Sequence, residues 1–121
     1  MEQINMNYQE LEEKVIQWAD DKGILSKATQ IAQATKTAEE VQELLEACFA
    51  QSNDLSEYYN SKGKLVNTQD ELEDALGDIL VTIIIGAKLQ GVSLESCLEK
   101  AYNVIAKRTG KMVNGVFIKD K

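Results

Sequence analysis

Two groups of carboxylates hold the residues best suited to chemistry in this chain. The stretch "AEEVQELLEAC", residues 38–48, sets Glu39, Glu40, Glu43 and Glu46 in one helical segment, and "ELEDALGDILVTI" sets Glu71, Asp74 and Asp78 in another. Histidine is absent from all 121 residues. That removes Ser-His-Asp and Cys-His catalysis, the usual zinc sets apart from all-cysteine ones, and the Glu-x-x-His di-iron bundles. Carboxylates, lysines, arginines and water are what remain.

The direction of each acid decides what it can do. On a helical wheel at about 100° per residue, Val41, Leu44, Leu45 and Cys48 form one apolar arc. Glu40 borders that arc, Glu43 lies next beyond it, and Glu39 and Glu46 face away. In the second group Glu71, Asp74 and Asp78 share one side, which continues two turns later into Val81, Thr82 and Ile85. The run "ILVTIIIGA" is apolar all round, the pattern of a helix buried on every side, so the acidic face runs into a buried one. Like charges at i, i+4 repel on an exposed helix, and ionised carboxylates buried without a partner are prohibitively costly. The solutions are lysine or arginine partners, protonation, or a divalent ion. Wheel geometry leaves these open, and salt-bridged or solvated acids stand level with a metal site. Magnesium takes hard oxygen ligands and shares its shell with water and phosphates, whereas zinc or iron suits such a donor set poorly.

The elements that must position these acids are helical. The length supports one domain with its own core, taken as residues 1–121. The absence of proline and the helical apolar periods predict an all-α, four-helix bundle-type protomer with antiparallel helices. The first helix is expected over Tyr8 to Asp21, with Leu11, Val15, Ile16 and Trp18 inward and a stop at Gly23. A second is expected from Ser26 to Ala50. A loop without period, Gln51 to Asn67, follows. Thr68 is read as the N-cap of a third helix over Gln69 to Gln90, with Glu71 completing a capping box. Ser93 caps a fourth, reaching Lys107 or Arg108, and the tail after Gly110 is expected to be extended. Cys48 and Cys97 sit on apolar stripes and are expected as buried free thiols.

Composition narrows the partners. A net charge of −7 and a pI near 4.6 argue against nucleic acid and anionic membranes, which need a basic field; phosphates remain accessible through a cation. The longest uncharged apolar run, Ile79 to Ala87, is far short of a bilayer span. With a polar, acidic N-terminal stretch in place of a signal sequence, a cytoplasmic protein is expected. An all-round apolar helix is too much to cover within one small protomer, so a homo-oligomer is expected, a dimer or a tetramer built from dimers.

These residues resemble the MazG-like all-α nucleoside triphosphate pyrophosphohydrolases. The family pattern is a Glu-Glu-x-x-Glu block, a variable gap, and an acid-x-x-Asp block on the next helix. Glu39-Glu40-Val-Gln-Glu43 matches the first, preceded by Gln33 and Lys36 at the family's spacing, and "ELEDALGDILVTI" resembles the second. The tail "CLEKAYNVIAKRTGKMVNGVF" and Trp18-Ala-Asp are similar to a phage-type branch. Two positions depart from the pattern: Ala75 stands where many members carry glutamate, leaving Asp74 or Glu71 to replace it, and Gln42 replaces a small residue.

The resemblance implies hydrolysis of a nucleoside triphosphate to the monophosphate and pyrophosphate. Glu40, Glu43, Asp74 and Asp78 would hold Mg2+, or Mn2+ in its place, with Glu39 or Glu71 as the proton acceptor. Lys107, Arg108 and Lys111, with Asn103 one turn earlier, would hold phosphates. Trp18, Gln33 and Lys36 complete the expected substrate-binding set, Trp18 by stacking on a base, and Tyr58 and Tyr59 are candidates to close over the nucleotide. The rival readings are a non-catalytic helical interaction module and a dUTP-directed enzyme of the same superfamily.

Overall fold

The computed structural model describes residues 5–121. It is 65% helix with a few short strands, which places the chain in the all-α class. The chain divides into two compact units, one ending at Gly91 and one from Val92 to Lys121, and each is described by itself.

In the first unit, α1 spans Tyr8–Asp21, as its periodicity predicts. Asn7 caps it, its side chain accepting the Glu10 N–H at 2.9 Å. A single turn, α2, Ile24–Lys27, follows Gly23. The expected long helix from Ser26 does not form as one piece. Ala28 is extended, and Thr29 starts α3, Gln30–Ser52, by accepting the Ala32 N–H at 3.1 Å. A threonine hydroxyl satisfies an orphan amide at a helix start better than it serves a helix interior, so the break falls there.

The fourth helix, α4, spans Thr68–Gln90. Its cap is Asn67, which accepts the Asp70 N–H at 3.0 Å, and not Thr68 as expected. Thr68 is buried instead, and its hydroxyl donates to the Leu55 carbonyl at 2.7 Å. Gly91 ends the helix in the left-handed region at φ 70°, a conformation glycine adopts without penalty.

Helices α3 and α4 pack antiparallel, since Gln30 reaches Leu89, Gln33 reaches Thr82, and Thr68 meets Leu55. Their contact is built from small side chains: Ala47 and Ala75 are 0% and 2% exposed, and Ala50 is also buried. This corrects the wheel reading. The arc of Val41, Leu45 and Cys48 faces outward, and Phe49 is 73% exposed. The buried residues are Gln33, Ala47 and Ala50 on α3, with Glu40 half-buried, and Thr68, Ala75, Thr82, Ile84 and Ile85 on α4. The outer face of α4 likewise leaves Leu76, Leu80 and Ile83 exposed, so this helix is not buried all round within one chain. Helix α1 packs on α4 through buried Ala19 with half-buried Val15 and Ile16, while Leu11 and Trp18, expected inward, are exposed.

The segment read as a loop contains a hairpin. Strand β1, Glu57–Tyr59, pairs antiparallel with β2, Leu65–Asn67, with Tyr58 opposite buried Val66. Tyr-Tyr and Leu-Val flanking Asn-Ser-Lys-Gly carry the signal, β-favouring pairs around turn formers.

The second unit holds α5, Leu94–Ile105, capped by Ser93 as expected but ending short of Lys107. Strands β3, Gly110–Val113, and β4, Val116–Lys119, then form a hairpin. Its turn, Asn114-Gly115, has φ of 50° and 81°, the paired positive values of a tight two-residue hairpin turn. Cys48 and Cys97 are free, and both are exposed where burial was expected.

The alanine seam yields a test. Ala75→Leu or Ala47→Leu forces extra volume between closely packed helices and is expected to cost about 1–3 kcal/mol, read as a lower urea midpoint. Leu76→Ala on the exposed face should cost less than either in the monomeric chain.

Candidate active site

The α3–α4 seam brings the acidic groups into one another's field. Glu40 is half-buried, and its Oε2 is buried without a hydrogen-bond partner among the described residues. Burial raises its pKa first, then the charge of Glu43 and side-chain hydrogen bonding with it, then the charge of Asp78, against the opposing charge of Lys36. Asp78 is exposed as a residue, yet desolvation of its carboxyl raises its pKa too, followed by the charges of Asp74 and Glu43. Two helices supply this geometry: Glu40 and Glu43 lie one turn apart on α3, and Asp74 and Asp78 one turn apart on α4. As the side chains stand, no three acidic groups among the described residues converge tightly enough to cage an ion. The structure shows instead an acidic wall with one orphaned oxygen.

The acids open onto two clefts. The larger, of about 420 Å³, runs along α3 from Ala28 to Glu40. One end is apolar, walled by Trp18, Ile24, Val81 and Ile85; the other carries Gln33, Lys36, Glu40 and Asp78. This volume lies within the usual range for small-molecule sites. Trp18 is 49% exposed, so the cleft has an aromatic face available for stacking. Gln33 is buried and its Nε2 donates to the Thr82 carbonyl at 3.1 Å. It therefore tethers the two helices as well as lining the cleft.

The smaller cleft, of about 300 Å³, holds Lys36, Glu39, Glu40, Glu43 and Glu46 beneath Ser61 and Lys62 of the hairpin. Lys36 Nζ lies 3.5 Å from Glu39 Oε2, and Lys62 Nζ lies 3.6 Å from Glu43 Oε1. Glu39 is exposed, as the wheel predicts. Glu46 is not the free outward acid expected, because it accepts both the N–H and the hydroxyl of Ser61, at 3.0 and 3.4 Å. Lys62 is the residue the sequence reading passed over. The hairpin signal was present in "YYNSKGKLVN", but nothing local says which helix the tip will touch.

The remaining candidates fall at different places. Glu71 is half-buried, and its charge acts on Tyr58, whose phenol is raised by burial first and then by Glu71, Glu46 and Glu43. Tyr58 thus stands beside the acids, while Tyr59 is exposed. Ala75, at the position of the family glutamate, is buried in the helix seam. Asn103 lies on α5, Lys107 and Arg108 follow its end, and Lys111 is in β3, all exposed residues of the second unit.

No curated protein and no solved structure matches the chain. A family model does: that of phosphoribosyl-ATP pyrophosphohydrolase, matched over residues 8–103. The match takes in Trp18, both acidic blocks and the hairpin between them, so the residues that form the clefts are those the family model spans. The chain belongs to the phosphoribosyl-ATP pyrophosphohydrolase family, pyrophosphohydrolases of nucleotide substrates related to the MazG-like all-α enzymes.

Proposed function

We propose that this chain hydrolyses a nucleoside triphosphate at its α–β phosphoanhydride, releasing the nucleoside monophosphate and pyrophosphate, in a magnesium-dependent reaction. The observation that carries the reading is the buried, unpartnered Glu40 Oε2, in a carboxylate that feels the charges of Glu43 and Asp78 and lines the same cleft as Trp18. Lys36 offsets only part of the charge at Glu40, which favours a cation there, and an all-carboxylate donor set suits a hard divalent ion. Glu40, Glu43, Asp74 and Asp78 would hold Mg2+, with Mn2+ as a substitute. When bound, such an ion offsets phosphate charge and lowers the pKa of water.

The chain's own residues do the rest. Trp18, with the aliphatic wall behind it, takes the base by stacking, and Gln33 presents the only buried amide in that cleft among the described residues. Lys36, between the two clefts, faces the phosphates. Attack of a water oxygen on the α-phosphorus breaks the bond to the bridging oxygen, and the water's proton passes to a carboxylate outside the ion-holding four. Glu39, which lines the smaller cleft, and Glu71, whose charge acts on Tyr58, are the two candidates for that role. The family model's own description favours a second reading, phosphoribosyl-ATP as the substrate, in which the same bond is cleaved. The tail sequence supports a phage-type member of the MazG-like group. The exposed Val41, Leu45 and Phe49 of α3, with Leu76 and Leu80 of α4, support a homo-oligomer, dimer or tetramer, measurable by light scattering.

Protonation linkage gives a test independent of turnover. Glu40 and Asp78 have raised folded pKa values, so their contribution to stability is full below the ordinary carboxylate range and is lost as pH rises through the raised values. Glu40→Gln removes one of these charges. In the ion-free state it is expected to melt level with the parent near pH 4 and about 2–4 °C above it near pH 7.5. Mg2+ should raise the parent's melting temperature near pH 7.5 and raise that of Glu40→Gln less. Equal melting at both pH values, with no response to Mg2+, would remove the ion from this reading.

Turnover is tested on a panel of nucleoside triphosphates, dUTP and phosphoribosyl-ATP, with pyrophosphate release as the readout. Glu43→Gln is expected to lower kcat by about 100-fold. Trp18→Ala should act on KM, raising it about tenfold through the lost stacking. No pyrophosphate from any member of the panel would leave the helical interaction module as the better account.

A further inference from the structure

The β1–β2 hairpin holds a lysine over the acidic wall, and its tip is braced from two sides. Internally, Asn60 Oδ1 accepts the N–H groups of Lys62 and Lys64, both at 3.0 Å, and the Asn60 carbonyl accepts the Gly63 N–H at 2.9 Å. Externally, both carboxylate oxygens of Glu46 hold Ser61. The residue between these anchors, Lys62, is thereby set with its ammonium 3.6 Å from Glu43. The lysine side chain is 78% exposed and that of Glu43 35%, so the ammonium stands in water at the cleft rim, where an ion pair is weakly held and exchangeable. The stem is flexible and carries three donors. Lys36, the other cation of this cleft, pairs with Glu39 rather than with one of the acids proposed to hold the ion, so an ion on Glu43 frees Lys62 and not Lys36.

We propose that Lys62 is a phosphate-contacting residue delivered by the hairpin: it pairs with Glu43 while that carboxylate is free and passes to the outer phosphates of a nucleotide polyphosphate when a divalent ion takes Glu43. The proposal rests on the reading given under the proposed function. Its physical basis is charge balance at one carboxylate. An ion on Glu43 removes the lysine's partner, and the incoming phosphate chain brings the negative charge that replaces it. Glu46 acts here as a positioning residue, since it touches the hairpin and not the phosphates.

Two binding measurements on the full chain test this without turnover: titration of Mn2+ alone, followed by electron paramagnetic resonance, and calorimetric titration of pyrophosphate in excess Mn2+. Lys62→Met is expected to bind Mn2+ alone about 2–5-fold tighter, through lost competition for Glu43, and pyrophosphate about 5–10-fold more weakly, through a lost charge-assisted contact. Lys62→Arg should restore pyrophosphate binding, and Glu46→Gln should weaken it in the direction of Lys62→Met. Lys64→Met makes the same change in net charge at a lysine without an ion pair among the described residues, and should leave both constants within about twofold of the parent. If Lys62→Met matches the parent in both titrations, or Lys64→Met reproduces its effects, the role of Lys62 is overturned while the ion site stands. A parent that binds neither Mn2+ nor pyrophosphate overturns this proposal and the proposed function together.

Discussion

The close approach of α3 and α4 is the constraint on which the rest of the first unit depends. Alanines at 47, 50 and 75 let the two backbones come together, and side chains this small bury little apolar area of their own. Their value is geometric. Once the helices are that near, residues one and two turns along have little choice of neighbour, and these residues are Glu43 and Glu40 on α3 and Asp78 on α4, which act on one another by charge. Burial first, and then the repulsion between these carboxylates, raises the proton affinities of Glu40 and Asp78. A seam of larger side chains would relieve that repulsion by separating the helices, and would dismantle the acidic wall in doing so.

Glu40 stands where two different solvents meet. Along α3 toward Ala28 the cleft becomes aromatic and aliphatic, and toward Glu46 it becomes charged. A nucleotide has the same polarity, an apolar stackable base at one end and a polyanion at the other. The orphaned oxygen of Glu40 lies at the boundary, the point at which the proposed function would set the atoms joining base and phosphates. Separating the two environments matters physically, because a stacking surface works best dehydrated whereas the phosphate end requires water as a reactant.

The hairpin completes the charged end without belonging to the helical scaffold. Its strands are three residues each, too short to stand alone, and it is held by Thr68 to Leu55 at its base and by Glu46 to Ser61 at its tip. An acid that looks like surface decoration on α3 is thus committed to a loop contact.

The sequence by itself determined the helical class, the bounds of α1, the C-terminal end of α4, the cap of α5 and the two acidic blocks. These follow from local rules: amide groups at helix ends need caps, glycine tolerates the left-handed turn, and acids at i, i+3 or i+4 share a face. The tertiary structure alone decided which face of α3 meets α4. The wheel points to Val41, Leu45 and Cys48, because the hydrophobic effect rewards the largest apolar area. The single chain instead packs on alanine, where two helices can approach most closely, and leaves the larger residues outside. Thr29, Asn67 and Lys62 were missed for a related reason. A cap, a break or an ion pair is settled by which partner arrives at that point in space, and hydrophobic periodicity does not encode that partner.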